Sequence, residues 1–178
     1  MDIKYTQLTS SDYKRIKEIN PARFIKRAWR TTNGTKQWVA LNWLDEDFPN
    51  GYDYHLTALK ATLDNGGFAI GAFNGSQMVG FVSVNADIFG DSSKYVLLDQ
   101  LFIDNKHQNQ GIGKKLFALV AEQAIKWQVD KLYICSGSSE DTLNFYYALG
   151  CVEAKEINQK LYENDENDIQ LEFTLGGQ

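Results

Sequence analysis

Residues 107–116 read HQNQGIGKKL, and two glycines, Gly111 and Gly113, sit one residue apart in them. An apolar run, YVLLDQLFI (Tyr95–Ile103), precedes them and a helix-patterned segment follows. Glycine lets backbone approach a ligand closely. A helix that starts there offers unpaired N–H groups and the positive end of its dipole, a combination suited to phosphate. The plainer alternative is a tight strand-to-helix turn. A P-loop is excluded, because Gln108 stands where its first glycine belongs and Lys115 where its hydroxyl belongs. A dinucleotide fingerprint is excluded as well, because its third glycine falls on Leu116.

Other residues invite a chemical reading. Asp99 is the one acid inside the apolar run, where a carboxylate is costly unless it is paired or functional. Regular alternation would turn Gln100 to the opposite face from it. Tyr146 and Tyr147 are adjacent, so on a helix only one of them can face a given site. Cys135 lies in an apolar strand pattern with no histidine or cation beside it and reads as a core cysteine. The two histidines, His55 and His107, are far apart and have no ligand spacing, and the two cysteines make neither a disulfide framework nor a metal pattern. No metal site is expected.

The elements that must position these residues follow from periodicity. Residues 3–8 alternate like a strand, and Ser10 or Ser11 is placed to cap a helix through 12–20. Residues 21–50 are the least legible: 20–30 extend that helix after a proline break, TNGT is a turn, and 37–43 alternate like a strand. Leu56, Leu59 and Leu63 share a helical stripe, with Asp53 as cap and Asn65-Gly66 as stop. Residues 68–73 and 78–86 flank NGSQ as a hairpin. Tyr95–Ile103 is a strand buried on both faces. Residues 110–127 form a helix and Lys131–Ser136 a strand. Residues 138–149 form a helix capped by Ser138 or Ser139 and stopped by Gly150, and 151–157 and 168–175 are strands around a solvated acidic tip, ENDEND. A right-handed crossover would make one late pair of strands parallel. The fold class is a mixed α+β sheet in a single domain, 1–178. The net charge of −5 and the lack of a basic stripe speak against a nucleic-acid partner. No apolar run approaches membrane-spanning length, and the first fifteen residues lack a signal-peptide core, so the expected setting is cytoplasmic, with no membrane partner.

The glycine segment does fit a third pattern, Gln/Arg-x-x-Gly-x-Gly/Ala, as Gln108-Asn109-Gln110-Gly111-Ile112-Gly113. A later F/L-Y-x-x-x-G-F/C pattern appears as Phe145-Tyr146-Tyr147-Ala148-Leu149-Gly150-Cys151. With this spacing and element order the chain resembles the GNAT superfamily of acetyl-CoA-dependent N-acetyltransferases, strongly over 78–175 and weakly before residue 53. The resemblance implies a central, mostly antiparallel twisted sheet with one parallel β-α-β splay, flanked by helices. It implies an enzyme that moves the acetyl group of acetyl-CoA to a primary amine within a ternary complex. The alternative is a catalytically silent module of the same fold that binds an acyl-CoA or a protein.

Carried over residue by residue, the resemblance assigns the pyrophosphate cradle to the backbone of Gln108, Asn109, Gln110, Gly111, Ile112 and Gly113. Lys114 and Lys115 either add charge there or are simply exposed. The pantetheine and oxyanion contacts go to the backbone of Leu101, Phe102 and Ile103, within a cofactor region spanning about 95–150. Many members place an asparagine where this chain has Ser139, so that contact carries over weakly. Tyr146 is the proton donor to the departing thiolate and Tyr147 the bystander. Asp99 matches the DQL aspartate of aminoglycoside 6′-N-acetyltransferases as amine-binding group or base, with a water chain as the alternative. The acceptor, a small-molecule amine or a protein amino group, belongs over a variable region at about 10–66. Trp29, Trp38, Trp43, Phe48 and Tyr52 with Asp45, Glu46 and Asp47 either wall it or serve as core and rim. Family members are often dimers through the C-terminal strands. Here that strand either does this or merely completes a sheet.

Overall fold

The computed structural model describes residues 2–176. In chain order it contains β1 (Ile3–Gln7), β2 (Arg23–Thr32), β3 (Thr35–Asp45), α1 (Tyr52–Asp64), β4 (Phe68–Asn74), β5 (Gln77–Val84) and β6 (Tyr95–Ile103). After these come α2 (Ile112–Lys126), β7 (Lys131–Ser136), α3 (Glu140–Ala148), β8 (Val152–Glu153), α4 (Gln159–Tyr162) and β9 (Ile169–Thr174). Seven strands form one sheet in the order β1-β4-β5-β6-β7-β9-β8, and β2 and β3 form a separate hairpin. Every neighbouring pair is antiparallel except β6 and β7. The mixed α+β sheet with one parallel β-α-β unit is as the sequence predicts.

Strand β6 is the fourth of seven and is covered on both faces, which accounts for its nearly unbroken apolar run. On one face Val96 and Leu98 join Leu116, Val120 and Ala124 of α2 in the larger core. On the other, Phe102 packs with Phe81, Phe48 and Leu59 of α1. The helical stripe of α2 thus fixes its first turn over the end of β6.

The partnership of β6 with β7 is short. Only Tyr95–Leu98 pairs, with Lys131–Ile134. Beyond that point β7 stays with β9, as Cys135 opposes Gln170 and Ser136 opposes Ile169. Strand β6 stays with β5 through Ile103 opposite Gly80. The two strands therefore part in a V. Its apex coincides with a bulge: Leu98 opposes Val84 and Gln100 opposes Ser83, which leaves Asp99 as the extra residue.

Several expectations fail for identifiable reasons. Residues 12–20 make a 3-10 turn, Tyr13–Glu18, rather than an α-helix. Neither Ser10 nor Ser11 caps it, and the Asp12 carboxylate turns back to the amide (2.9 Å) and hydroxyl (2.7 Å) of Thr9. Residues 23–32 are strand, not helix, because β3 pairs with them from Arg23–Asp45 to Thr32–Thr35. In that pairing Ile25 and Ala28 face inward. Gly51, at φ +83°, precedes α1, and Asp53 falls in the first turn instead of capping it. The strand expected at 151–157 shrinks to Val152–Glu153.

α2 packs mainly against β4, β5 and β6, so its buried stripe contributes to stability. Leu116 is fully buried. Leu116→Ala should lower the unfolding free energy by about 2–5 kcal/mol in urea titrations. The partly exposed Leu119→Ala should cost clearly less.

Candidate active site

The loop from β6 to α2 is pinned at its start. Asp104 is buried and accepts from the amides of Asn20 (2.9 Å) and Lys106 (3.1 Å) and from His107 Nδ1 (2.9 Å). Burial works to raise its carboxyl, but these donors win and hold it below the ordinary value. Gln108 Nε2 donates to the Ile103 carbonyl at 3.3 Å and Gln110 Nε2 to the Lys106 carbonyl at 3.1 Å. Those side chains brace the loop.

The two glycines do different work. Gly111 is the residue before α2 and is left-handed, at φ +81°. A Cβ placed there would meet nothing within 4 Å, so the space in front of it is open. At Gly113 a Cβ would lie 3.2 Å from the Phe145 ring, so this glycine lets α2 pack closely against α3. Lys115 N donates to the Gly111 carbonyl at 3.0 Å. The amides ahead of it, at Ile112, Gly113 and Lys114, lie in the first turn, where a helix offers no partners. Lys114 and Lys115 are exposed beside them. The fit is to an anion approaching along the backbone.

The upper half of β6 continues this site. Asp104 N donates to the Val79 carbonyl, which sets the alternation along β6. Phe102 then turns its peptide groups toward β5, and Leu101 and Ile103 turn theirs into the V. The ring of Phe102 lies in the core, 4.9 Å from Phe48 and 4.8 Å from His55. Ser139 precedes α3, is buried, and gives its hydroxyl to Thr142 Oγ1 at 2.8 Å.

Titratable groups gather where the V opens. Burial raises the Asp99 carboxyl, against a hydrogen bond from Gln100 and the charge of His55. Because of the bulge, Gln100 is not turned away from it: its Nε2 lies 3.3 Å from Asp99 Oδ2. Burial, with Asp165 nearby, pushes the Asp168 carboxyl up to about 6, and Arg30 opposes this. Both carboxylates act on Cys135 across the V. Its thiol is pushed up to about 12, mainly by burial. Tyr146 is buried among Phe117 and Phe145, and burial raises its phenol strongly, with Cys151, Asp168 and Cys135 adding to the shift. Tyr147 is 43% exposed. The helix thus separates the two tyrosines as expected.

Sequence reasoning missed three contributors. Asp168 opens the expected strand 168–175 at the edge of the acidic tip, and nothing in ENDEND separates it from its exposed neighbours. Tyr54 of α1 is exposed, yet its phenol is raised by burial and by Asp99, Cys135 and Asp168. His55 was a lone histidine. Among the aromatic and acidic residues of 23–54, Phe48 is core, with Tyr52 packed on it, and Trp43 is exposed. Trp29 and Trp38 meet edge-on at 5.0 Å. Asp45 lies 3.7 Å from Arg23, and Asp47 accepts the Phe48 amide at 2.7 Å. A cavity of about 360 Å³ opens between the hairpin and residues 153–170, with Trp29, Arg30, Tyr162, Asp168 and Gln170 in its wall. Among the described residues no group of three or more His, Cys, Asp or Glu side chains could hold a metal, and no helix is long and apolar enough to cross a membrane.

The chain belongs to the acetyltransferase (GNAT) family, whose pattern matches residues 36–151. Nourseothricin acetyltransferase shares the fold at a TM-score of 0.73 and 15% identity, over 98% of this chain and 99% of that one. A candidate streptothricin acetyltransferase of Bacillus anthracis str. Ames, solved with acetyl coenzyme A, aligns over 100% of both chains at 0.71 and 14%. The PaiA N-acetyltransferase of Thermoplasma acidophilum, solved with coenzyme A, aligns over 98% and 99% at 0.60 and 16%. No curated protein matches the sequence.

The raised Asp168 carboxyl is directly measurable. Side-chain 13C spectra should show a carboxyl with a midpoint at about 6 that disappears in Asp168→Asn. Asp165→Asn removes a neighbouring negative charge and should lower that midpoint. A midpoint near 4 in the unaltered protein would contradict the half-buried placement.

Proposed function

We propose that this protein is an N-acetyltransferase that transfers the acetyl group of acetyl-CoA directly to a primary amine in a ternary complex. The observation that carries this is the conjunction of the open, left-handed Gly111 with the V between β6 and β7, on one side of which Asp99 sits. The backbone of 108–113 would hold the pyrophosphate, with Lys114 and Lys115 beside it. Leu101 and Ile103 would offer peptide groups to the pantetheine arm and to charge developing on the carbonyl oxygen. Phe102 and Ser139 would serve through packing and position, since the Phe102 peptide faces β5 and the Ser139 hydroxyl is held by Thr142. When bound, acetyl-CoA supplies an acyl group on a good leaving thiolate.

The chain's own residues move the protons. An ammonium R–NH3+ gives one proton to Asp99 and becomes nucleophilic R–NH2. As the C–N bond forms and the C–S bond breaks, a second proton leaves nitrogen through water, and an equivalent proton restores the Tyr146 phenol once it has protonated the sulfur. Tyr146 gives its phenolic proton to sulfur. Its raised value keeps it protonated throughout the working range. The acceptor enters over the Tyr54 and Asp168 side, where acidic groups favour a cationic small molecule. The aligned nourseothricin and streptothricin enzymes, by their names, act on small molecules.

Titration calorimetry with acetyl-CoA should show micromolar binding. Gly111→Glu should abolish it, and Gly111→Ala should weaken it because alanine is strained at φ +81°. In an amine panel, Asp99→Asn and Tyr146→Phe should each lower kcat by about 10² or more. The ratio kcat/KM should rise with pH through the raised carboxyl range, since the base works only when ionised. Binding without turnover on any amine would support the silent-module alternative, and no binding would remove the reading altogether.

A further inference from the structure

His55 lies in α1 and is 6% exposed, and Gln100 on β6 is 3% exposed. His55 Nε2 is 2.7 Å from the Pro49 carbonyl oxygen. A carbonyl can only accept, so Nε2 must carry a hydrogen. His55 Nδ1 is 3.0 Å from Gln100 Oε1, and Gln100 Nε2 is 3.3 Å from Asp99 Oδ2. With the amide in this orientation, Nδ1 must carry a hydrogen too. The ring is then an imidazolium, and Asp99 is a carboxylate that accepts from the amide. If the amide is turned over, its NH2 donates to a bare Nδ1 and its oxygen faces Asp99, which must then be the acid. Both arrangements pair a donor with an acceptor at all three contacts, and both hold one proton between the two ends. A neutral ring beside an ionised Asp99 satisfies neither, since it leaves two acceptors facing one another.

We propose that His55 is a positioning residue that, through the Gln100 amide, shares one proton with Asp99 and, as the imidazolium, holds Asp99 in its carboxylate form for the incoming amine. The proposal rests on the reading of Asp99 as the base, but the sharing itself does not. The other titratable groups that feel Asp99 are Tyr54 on α1 and Cys135 on β7. Neither is cationic, so the ring is the one positive partner among the described groups that act on this carboxylate. Around His55 stand the rings of Phe48, Tyr54 and Phe102, at 5.3, 5.1 and 4.8 Å, which leave the imidazole buried. The chain places a charge carrier in an aromatic box and lets a single amide convey its state to the V.

Imidazole 15N spectra of the full-length protein give a readout that does not depend on activity. With the Gln100 amide oxygen toward the ring, both ring nitrogens of His55 should carry a hydrogen. In Asp99→Asn, which is isosteric, Nδ1 should lose its proton and the ring should become the neutral Nε2–H form. The same ring state in both proteins would overturn the proposal. A kinetic arm separates positioning from structure. In His55→Gln the acidic limb of the kcat/KM profile should move up by on the order of one pH unit, with the rate recovering at higher pH. A uniform loss at every pH, with the limb unmoved, would count against the proposal. Gln100→Leu cuts the bridge without removing either titratable group and should uncouple the ring from Asp99→Asn. If Asp99→Asn remained fully active while the ring shifts behaved as expected, the proton sharing would stand and the assignment of Asp99 as base would fall.

Discussion

Everything at the site depends on one broken partnership. Four residues of β6 pair with β7, and then the two strands follow different neighbours. An interior strand normally spends its peptide groups on two partners, and unpaired ones are costly if buried. Here the strand is central and half of one edge is left open. The opening is tolerable because each parted strand stays anchored on its other side, β6 to β5 and β7 to β9. The helix that follows β6 packs mainly against β4, β5 and β6. The Asp99 bulge falls at the same place, so the residue with no ladder partner is also the residue that carries a charge.

That arrangement also explains how neighbouring groups differ so much in character. Asp104 and Asp99 are five residues apart on one segment. Asp104 meets two amides and a histidine and is held as a carboxylate. Asp99 meets a single amide in a buried setting, and its carboxyl is raised. The first fixes the shape of the loop, and the second is left available for exchange. Number and type of donor, not depth alone, separates a structural acid from a reactive one.

What could be read from the sequence tracks how local the determining physics is. The strand, glycine turn and helix of 95–126 are written in periodicity and in residues with special backbone freedom, so they are legible. So is the Phe145–Cys151 segment, where spacing along one helix already separates Tyr146 from Tyr147. Residues 12–32 are not legible, because what decides their state lies elsewhere. Asp12 folds back on Thr9, and Arg23–Thr32 becomes a strand only because β3 arrives to pair with it. His55 and Asp168 escaped for the same reason. Each is ordinary in its own stretch and acquires meaning from a partner more than thirty residues away.

The β2–β3 hairpin closes its own ladder and shares no strand with the central sheet. It is fastened chiefly at one place, the start of α3, where Trp29 N donates to the Ser138 carbonyl at 2.8 Å, Arg23 reaches Thr142 at 3.0 Å, and Arg27 meets Glu140. An element attached in this way behaves as a cassette. Its length, twist and outward side chains can drift over generations without disturbing the register of the seven-stranded sheet. Changes at the few docking residues, by contrast, would move the whole flap relative to the V. Evolutionary novelty in this protein therefore has an inexpensive route along the hairpin's outer surface, while the sheet beneath remains bound to its inherited geometry.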